Sequence, residues 1–562
     1  MKTAITSFIC PRCRLARPRT TRLPISPRLV TRLYSSNSNV NFHDDAAGQR
    51  PQHIQRPTTA PRPNIDIKHI RQNQELHKQN CLERNYKTQS TYPEHIVALF
   101  DRWRARQKDG RSLRERSNAL RREIANPATI QHEDEAEEGS AANPGQVKPQ
   151  TSDTAAHDPL SDSSRRDVRT MTKDELVQEA RTLKRALSTI EEDEARLSAE
   201  MMDYALAIPN LTSEDTPRGD EARVLSYINE PHPFQSAPPS DRVWHSHVHI
   251  GSELGILDFA SAATASGWGW YYLLDEGAQL EQALIAYALA SVTRVPGWRQ
   301  VATPSIVYSH IATACGFQPR DHNGETQIYA LSQSASDAAR GKPEHSLTAT
   351  SEIALAGMRA DSLLEAAELP SKRVAVSRCY RAEAGGRGAD TKGLYRVHEF
   401  TKVEMFAWTA PTLEATTEVF DEIVDVQTEI LASLGLHCRV LEMPSADLGA
   451  AATRKVDIEA FFPSRAAQGL NGGWGEVTSA SVCTDYQTRR LATRMREGGP
   501  KSTQQLAYPW TVNGTALAIP RVMAAVLENG WDETEMTVTI PECLRPWMDG
   551  KEKIEAKGQR RN

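Results

Sequence analysis

The chain has 562 residues and a mass of 62.4 kDa, long enough for several structural units at about 150 residues per domain. Its 67 Lys and Arg against 72 Asp and Glu leave a net charge of −5, so the molecule as a whole is no polycation and any nucleic-acid contact must come from a local basic surface. With 39% hydrophobic residues, wholesale disorder is excluded. No run of eighteen apolar residues predicts a membrane span, and eight Cys in a chain this long make no disulfide scaffold. A soluble, intracellular, multi-part protein is expected.

The opening segment is foreign to the rest. Met1 to His43 holds eight basic residues and no acid; Asp44 is the first. An Arg-rich, Ser-containing, acid-free start predicts a mitochondrial transit peptide over 1–36, with Arg32-Leu33-Tyr34-Ser35 resembling a processing site, hence a matrix location. A basic nucleic-acid arm is the competing reading. Cys10 and Cys13 form a lone CxxC without a second ligand pair, so no zinc is expected there. A Pro-rich linker, 37–61, follows.

Two long helical patterns come next, within an arm expected over 62–223. The first opens at Pro93 and runs through Ile96, Leu99, Trp103, Leu113, Leu120 and Ile124, with Arg106, Gly110 and Ser117 at seam positions. The second starts at a capping box, Thr172 and Glu175, and repeats at Leu176, Ala180, Leu183, Leu187, Ile190, Leu197, Met201 and Tyr204, with Glu194 alone breaking the stripe. Two heptad helices around a break most simply form an antiparallel coiled-coil hairpin. The break, about 127–169, is Ser/Asp/Pro/Gly-rich, carries an acidic EDEAEE run, and is expected to be disordered. From Asp101 to Asn126, nine Arg and Lys face four Asp and Glu. A solvated face is the ordinary cause of such a run, and a projecting basic hairpin also suits a phosphate backbone.

From 224 to 548 the texture becomes α+β with an antiparallel sheet, followed by a basic tail, 549–562. Strands are predicted over 373–383 and 394–408, and helices over 278–291 and 412–434. Alternation puts Arg381 with Glu383 on one strand face, and Arg396, His398, Phe400, Lys402 and Glu404 on another. Tyr395, Val397, Val403 and Met405 fall on the core side. Arginines match phosphate oxygens, an aromatic ring stacks a base, and carboxylates hold an amine or a divalent cation, so this face suits a nucleotide. No Walker or Rossmann glycine motif is present. Further on, GEVTSASVCTDYQTRR (475–490) again mixes acid, hydroxyls and arginines. NGTALAIPRVMAAVLENG (513–530) predicts a helix with Pro520 in its first turn, Arg521 at its N-terminus and Gly530 as its stop.

The blocks CYRAEAGGRGADTKGLYRVHEFTKVE, TSASVCTDYQTRR and TVNGTALAIPR resemble the second and third signature motifs of seryl-tRNA synthetases, class II aminoacyl-tRNA synthetases. The 278–291 helix with VATP (301–304) resembles their first, dimer-forming motif, with Pro304 as its proline. IDIKHIRQNQELHKQNCLERN (65–85) resembles the family's N-terminal opening. The resemblance implies ATP-dependent attachment of serine to tRNA(Ser) through a seryl adenylate, for mitochondrial translation, by a homodimer with no membrane association. Its catalytic residues would be Arg381, Glu476 and Arg521. ATP would be held by Arg381, Glu383, Arg396, Phe400, Glu476, Ser479 and Arg521, with Mg²⁺ on Glu476 and Ser479. L-serine would meet Thr350, Glu352, Arg381, Glu404, Asn513 and Thr515. Arg102, Arg106, Arg114 and Arg121 would contact tRNA along the arm.

Three features depart from the family pattern. Val482 stands where Asn is usual after S-x-S, Ser464 to Trp474 looks like an insertion, and the arm tip carries the long acidic segment. A catalytically inactive, synthetase-like tRNA-binding protein is the alternative reading. His245, His247 and His249 suggest alternate positions on a strand face, but without a further ligand cluster no zinc is assigned.

Overall fold

The computed structural model describes residues 60–125, 167–231, 245–317, 327–383, 393–469, 471–497 and 506–556. The expected leader, most of the linker and nearly all of the acidic insert lie outside them. Two short helices, α1 (Ile67–Gln72) and α2 (Gln74–Glu83), precede the arm; Asp66 caps α1 by accepting the His69 N–H at 2.8 Å. The arm is α3 (Tyr92–Ile124) against α4 (Lys173–Ala207), rods of 33 and 35 residues. Pro93 sits in the first turn of α3, and the Thr172–Glu175 capping box starts α4.

The seam irregularities have physical reasons. Gly110 is buried, and a Cβ there would lie 3.2 Å from Ile190 Cγ2, so glycine lets the rods approach. Ser117 is buried too. Glu194 is met by Arg114 from the facing helix at 2.7 Å. Leu120 packs with Leu176 and Leu183 near the tip, while Leu99 shares a core with Leu197 and Met201 at the root, which makes the hairpin antiparallel. That root core also takes in Ala450, Ala451, Cys483 and Tyr486. Buried Arg84 donates to the carbonyls of Asn210 and Gly449. The Asn210 amide donates to the Ala451 and Cys483 carbonyls and to Thr484 Oγ1, at 2.9 to 3.0 Å.

The body is an eight-stranded sheet. Its strands are β1 (Arg223–Ile228), β2 (Trp298–Ala302), β3 (Ser371–Tyr380), β4 (Glu399–Thr409), β5 (Cys438–Glu442), β6 (Arg454–Phe461), β7 (Trp474–Thr484) and β8 (Trp510–Ala518), in the spatial order β1-β5-β6-β7-β8-β4-β3-β2. All pairs are antiparallel except β2 with β3. Among the helices around it are α5 (His247–Glu253), α6 (Glu276–Arg294), α7 (Ser351–Gly357), α8 (Leu413–Ser433), α9 (Tyr486–Leu491) and α10 (Ile519–Asn529).

Strand β4 shows how the sheet divides its labour. Val403, Met405 and Ala407 enter a core with Leu284, Ile423 and Met523 from α6, α8 and α10. On the other face, Phe406 and Trp408 pack with Ile353 and Leu355 of α7, while Phe400, Lys402 and Glu404 continue that face toward a cavity. Lys553–Glu555 pairs with Thr537–Thr539, so ordered structure runs past the expected boundary at 548.

Three sequence expectations are corrected. The strand expected over 373–383 ends at Tyr380, and the one over 394–408 starts at Glu399. The ladder stops because Glu383 takes a left-handed φ of +47° and the His398 N–H turns away to the Gly269 carbonyl. The three histidines do not lie on a strand, since His247 and His249 open helix α5. Gly530 caps α10 with φ −90°; glycine suits it because a Cβ would lie 2.8 Å from the Thr539 carbonyl oxygen.

Candidate active site

One cavity gathers all seven residues expected around ATP: Arg381, Glu383, Arg396, Phe400, Glu476, Ser479 and Arg521. They come from separate elements. Arg381 and Glu383 follow β3, Arg396 precedes β4, Phe400 belongs to β4, Glu476 and Ser479 to β7, and Arg521 to the first turn of α10. Arg381 lies 5.1 Å from the Phe400 ring centre, and Glu383 lies 3.6 Å from Arg396.

Opposite them, Arg521 Nη1 meets Glu476 Oε2 at 3.0 Å. Burial would raise the Glu476 carboxyl, but the Arg521 guanidinium and then the Lys455 ammonium outweigh it and hold it well below the usual carboxylate range. Strand β6 lies behind this pair. Asp457 stands opposite Ser479 in the ladder, and Lys455 contacts Asp457 at 2.6 Å. Burial keeps the Asp457 carboxyl raised despite Lys455, and its Oδ1 has no hydrogen-bond partner among the described residues.

A second cluster lies beneath the cavity along β4 and β8. Glu404 is 1% exposed. It receives Lys402 at 2.6 Å and Thr515 Oγ1 at 3.0 Å. Asn513 Nδ2 donates to Glu352 Oε2 at 3.2 Å and approaches Glu404 Oε1 at 3.5 Å. Glu352 in α7 also accepts from Gln487 of α9 at 2.6 Å, and the Thr350 hydroxyl caps α7 at the Glu352 N–H. Burial first, then the charge of Glu404, push the Glu352 carboxyl up to about 7. Of the residues expected around serine, Arg381 and Thr515 line the cavity, and Thr515 leads through Glu404 to Asn513, Glu352 and Thr350, which do not line it. Such an arrangement can hold a polyanion at one end and a small ammonium group with a hydroxyl at the other.

Sequence reasoning missed some members. Tyr395, expected on the core side, does pack against the main core, but it also lines the cavity: Arg465 and Arg521 each lie 4.7 Å from its ring centre, and its carbonyl accepts from Arg521 Nε at 3.1 Å. Burial raises its phenol to about 12, so it stays neutral. Lys402 lay on the right face but carried no assigned role, and Gln487 had no signal. Val482 lies in the hydrophobic core and does not line the cavity. The stretch 464–474 joins β6 to β7 beside the cavity.

On the arm, Arg102, Arg106 and Arg121 are exposed, whereas Arg114 is half-buried in its pair with Glu194. Arg106 also reaches Asp193 at 3.3 Å.

Residues 334–530 match the tRNA synthetase class II core domain (G, H, P, S and T). The chain is 43% identical over 362 residues to the mitochondrial serine--tRNA ligase of Saccharomyces cerevisiae, covering 64% of this chain and 75% of that one. The chain belongs to the serine--tRNA ligase family. It is therefore an enzyme, a class II aminoacyl-tRNA synthetase. The serine--tRNA ligase of Rubrobacter xylanophilus extends the match to 87% of this chain and 99% of its own, at 34% identity. Seryl-tRNA synthetase from Pyrococcus horikoshii, solved in complex with ATP, superposes with a TM-score of 0.68 at 28% identity over 88% of this chain and all of that one. Family membership and the antiparallel sheet with its helical arm agree with the expectation drawn from the motifs.

Proposed function

We propose that this enzyme joins serine to tRNA(Ser) in two steps within the cavity, in the mitochondrial matrix. The serine carboxylate attacks the α-phosphorus of ATP and displaces pyrophosphate; the tRNA 3′-terminal hydroxyl then attacks the seryl carbonyl and displaces AMP. The reading is carried by the facing of Glu476–Arg521 against Arg381, Arg396 and Phe400, directly above the Glu352–Asn513–Glu404 cluster.

In this reading Arg381 spans both reactants, at the α-phosphate and the serine carboxylate. Phe400 stacks the adenine, Glu383 meets its edge, and Arg396 and Arg521 hold the terminal phosphate. Glu352, Glu404, Asn513, Thr515 and Thr350 hold serine. A hydroxyl bound by buried polar groups is discriminated steeply from alanine, which would leave them unpaired. No nucleophilic side chain is required; positioning and charge neutralisation lower the barrier. The low-lying Glu476 carboxylate, the Ser479 hydroxyl and the partnerless Asp457 Oδ1 beside them form an all-oxygen donor set that fits Mg²⁺. Glu476 and Ser479 would hold it, and it would neutralise phosphate charge.

The arm's exposed arginines would meet the tRNA backbone. An apolar groove around Pro304, Ile306, Tyr308 and Met358, the last three 51%, 44% and 52% exposed, supports a homodimer with a second copy covering it. The acid-free leader and the mitochondrial name of the Saccharomyces cerevisiae relative support the location.

Protein lacking about the first 36 residues is expected to catalyse serine-dependent ATP–pyrophosphate exchange and to charge tRNA(Ser), while eluting as a dimer. Absence of exchange alongside tRNA binding would instead establish an inactive synthetase-like protein.

A further inference from the structure

Behind the cavity, one buried histidine and its glutamate partner tie together three chain segments, two of which carry residues that line the cavity. His247, at the start of α5, is 7% exposed. Its Nε2 lies 3.0 Å from the Leu394 backbone N–H. An amide N–H can only donate, so Nε2 accepts, and the ring proton sits on Nδ1. Nδ1–H then donates to Glu528 Oε1 at 2.8 Å. Glu528 also accepts the His247 backbone N–H at 3.0 Å on Oε1 and the Ser464 N–H at 3.2 Å on Oε2.

Each attachment leads to the cavity. Leu394 is followed by Tyr395 and Arg396. Ser464 is followed by Arg465, whose guanidinium lies 4.7 Å from the Tyr395 ring. Glu528 lies two turns along α10 from Arg521, which reaches Glu476 and the same tyrosine. Gly393 makes the approach possible: its φ is +71°, and a Cβ there would come within 2.2 Å of His247 Nε2. None of these bonds touches the Glu352–Glu404 cluster.

We propose that His247 is a positioning residue for the nucleotide half of the cavity, acting with Glu528 to set the 394–396 segment against α10 and leaving the serine half unaffected. This rests on the proposed assignment of the cavity to ATP.

The two nitrogens can be tested separately. In His247→Gln the amide oxygen takes the place of Nε2 and can still accept from Leu394. In His247→Asn the shorter amide mimics Nδ1, donating to Glu528 but leaving the Leu394 N–H without a partner. Each variant removes one side-chain hydrogen bond, so a purely structural role predicts equal effects. Positioning predicts that His247→Asn raises the KM for ATP in serine-dependent exchange roughly tenfold, that His247→Gln stays within about threefold of wild type, and that the KM for serine is unchanged in both. Thermal unfolding of both variants confirms that each is folded. Equal changes in the two variants, a parallel rise in the KM for serine, or no change in either would overturn the proposal. Failure of wild-type exchange would sink the ATP assignment instead, so the two failures are distinguishable.

Discussion

Glu352 of α7 and Glu404 of β4 converge on one side chain: the Asn513 amide donates to Glu352 Oε2 at 3.2 Å and lies 3.5 Å from Glu404 Oε1. Glu404 has Lys402 at 2.6 Å, whereas among the described residues the Glu352 carboxylate accepts from the neutral amides of Gln487 and Asn513. Burial, followed by the charge of Glu404, accordingly lifts Glu352 from an ordinary value near 4.5 to about 7.

The sign of the resulting pH dependence follows directly. Between those two values the folded chain binds more protons at Glu352 than the unfolded chain does. Its contribution to stability therefore falls as pH rises from about 4.5 to about 7, and the deficit is complete above that. Glu352→Gln removes the charge, so its melting temperature relative to wild type should climb across this window. For catalysis the direction is opposite, since an ionised Glu352 is the better partner for the serine ammonium. The KM for serine in exchange assays should rise as pH falls through about 7. In Glu352→Gln it should be raised roughly tenfold or more and lose that dependence. A profile identical in wild type and variant would refute the assignment.

Arg521 is the strongest attractive influence on Glu476. Arg521→Ala should lower kcat for exchange by about a hundredfold or more. Arg521→Lys keeps a charge but not the fork that reaches Glu476 and the Tyr395 carbonyl together, so its activity should stay well below wild type. Steady-state exchange kinetics on both variants provide the check.

Metal removal should abolish exchange. Treatment with EDTA followed by added Mg²⁺ should restore it, and Glu476→Gln should shift the Mg²⁺ concentration for half-maximal activity upward. Recovery of wild-type Mg²⁺ dependence in that variant would remove Glu476 from the metal site.

On the arm, Arg102→Ala and Arg121→Ala should raise the KM for tRNA and each reduce the salt slope of tRNA binding by about one. Serine-dependent exchange should not change. Arg114 is expected to behave differently, because Arg114→Ala leaves Glu194 on the seam without its 2.7 Å partner. Its readout is a loss of arm helicity or thermal stability.

The parts of the molecule that obey a simple period were legible in advance. The arm helices matched their stripes, and the capping box at Thr172 marks the start of α4 within a residue. On β4, alternation placed Phe400, Lys402 and Glu404 together on one face. A few residues earlier the ladder that justifies the rule is missing: Tyr395 and Arg396 precede the strand, and the turn at Gly393 with the Leu394 bond to His247 sets that segment. Alternation holds only while the ladder holds. The histidines illustrate a further limit: three residues at spacing two fit a strand or the opening of a helix equally well, and the apolar burial of Ile250 and Leu254 decides for the helix. Gln487 had no advance signal, since its role exists only because α9 packs beside α7.

The root of the arm is stitched to β7 through Asn210, which takes up the Cys483 carbonyl, while the Cys483 thiol approaches Asn513 Oδ1 at 3.4 Å. Cutting the helices away would strip amide partners from a strand that also bears Glu476 and Ser479. An arm-deleted chain is therefore no minimal catalytic core: it would have to be recapped at Ala451, Cys483 and Thr484 before its chemistry could be compared with that of the whole protein.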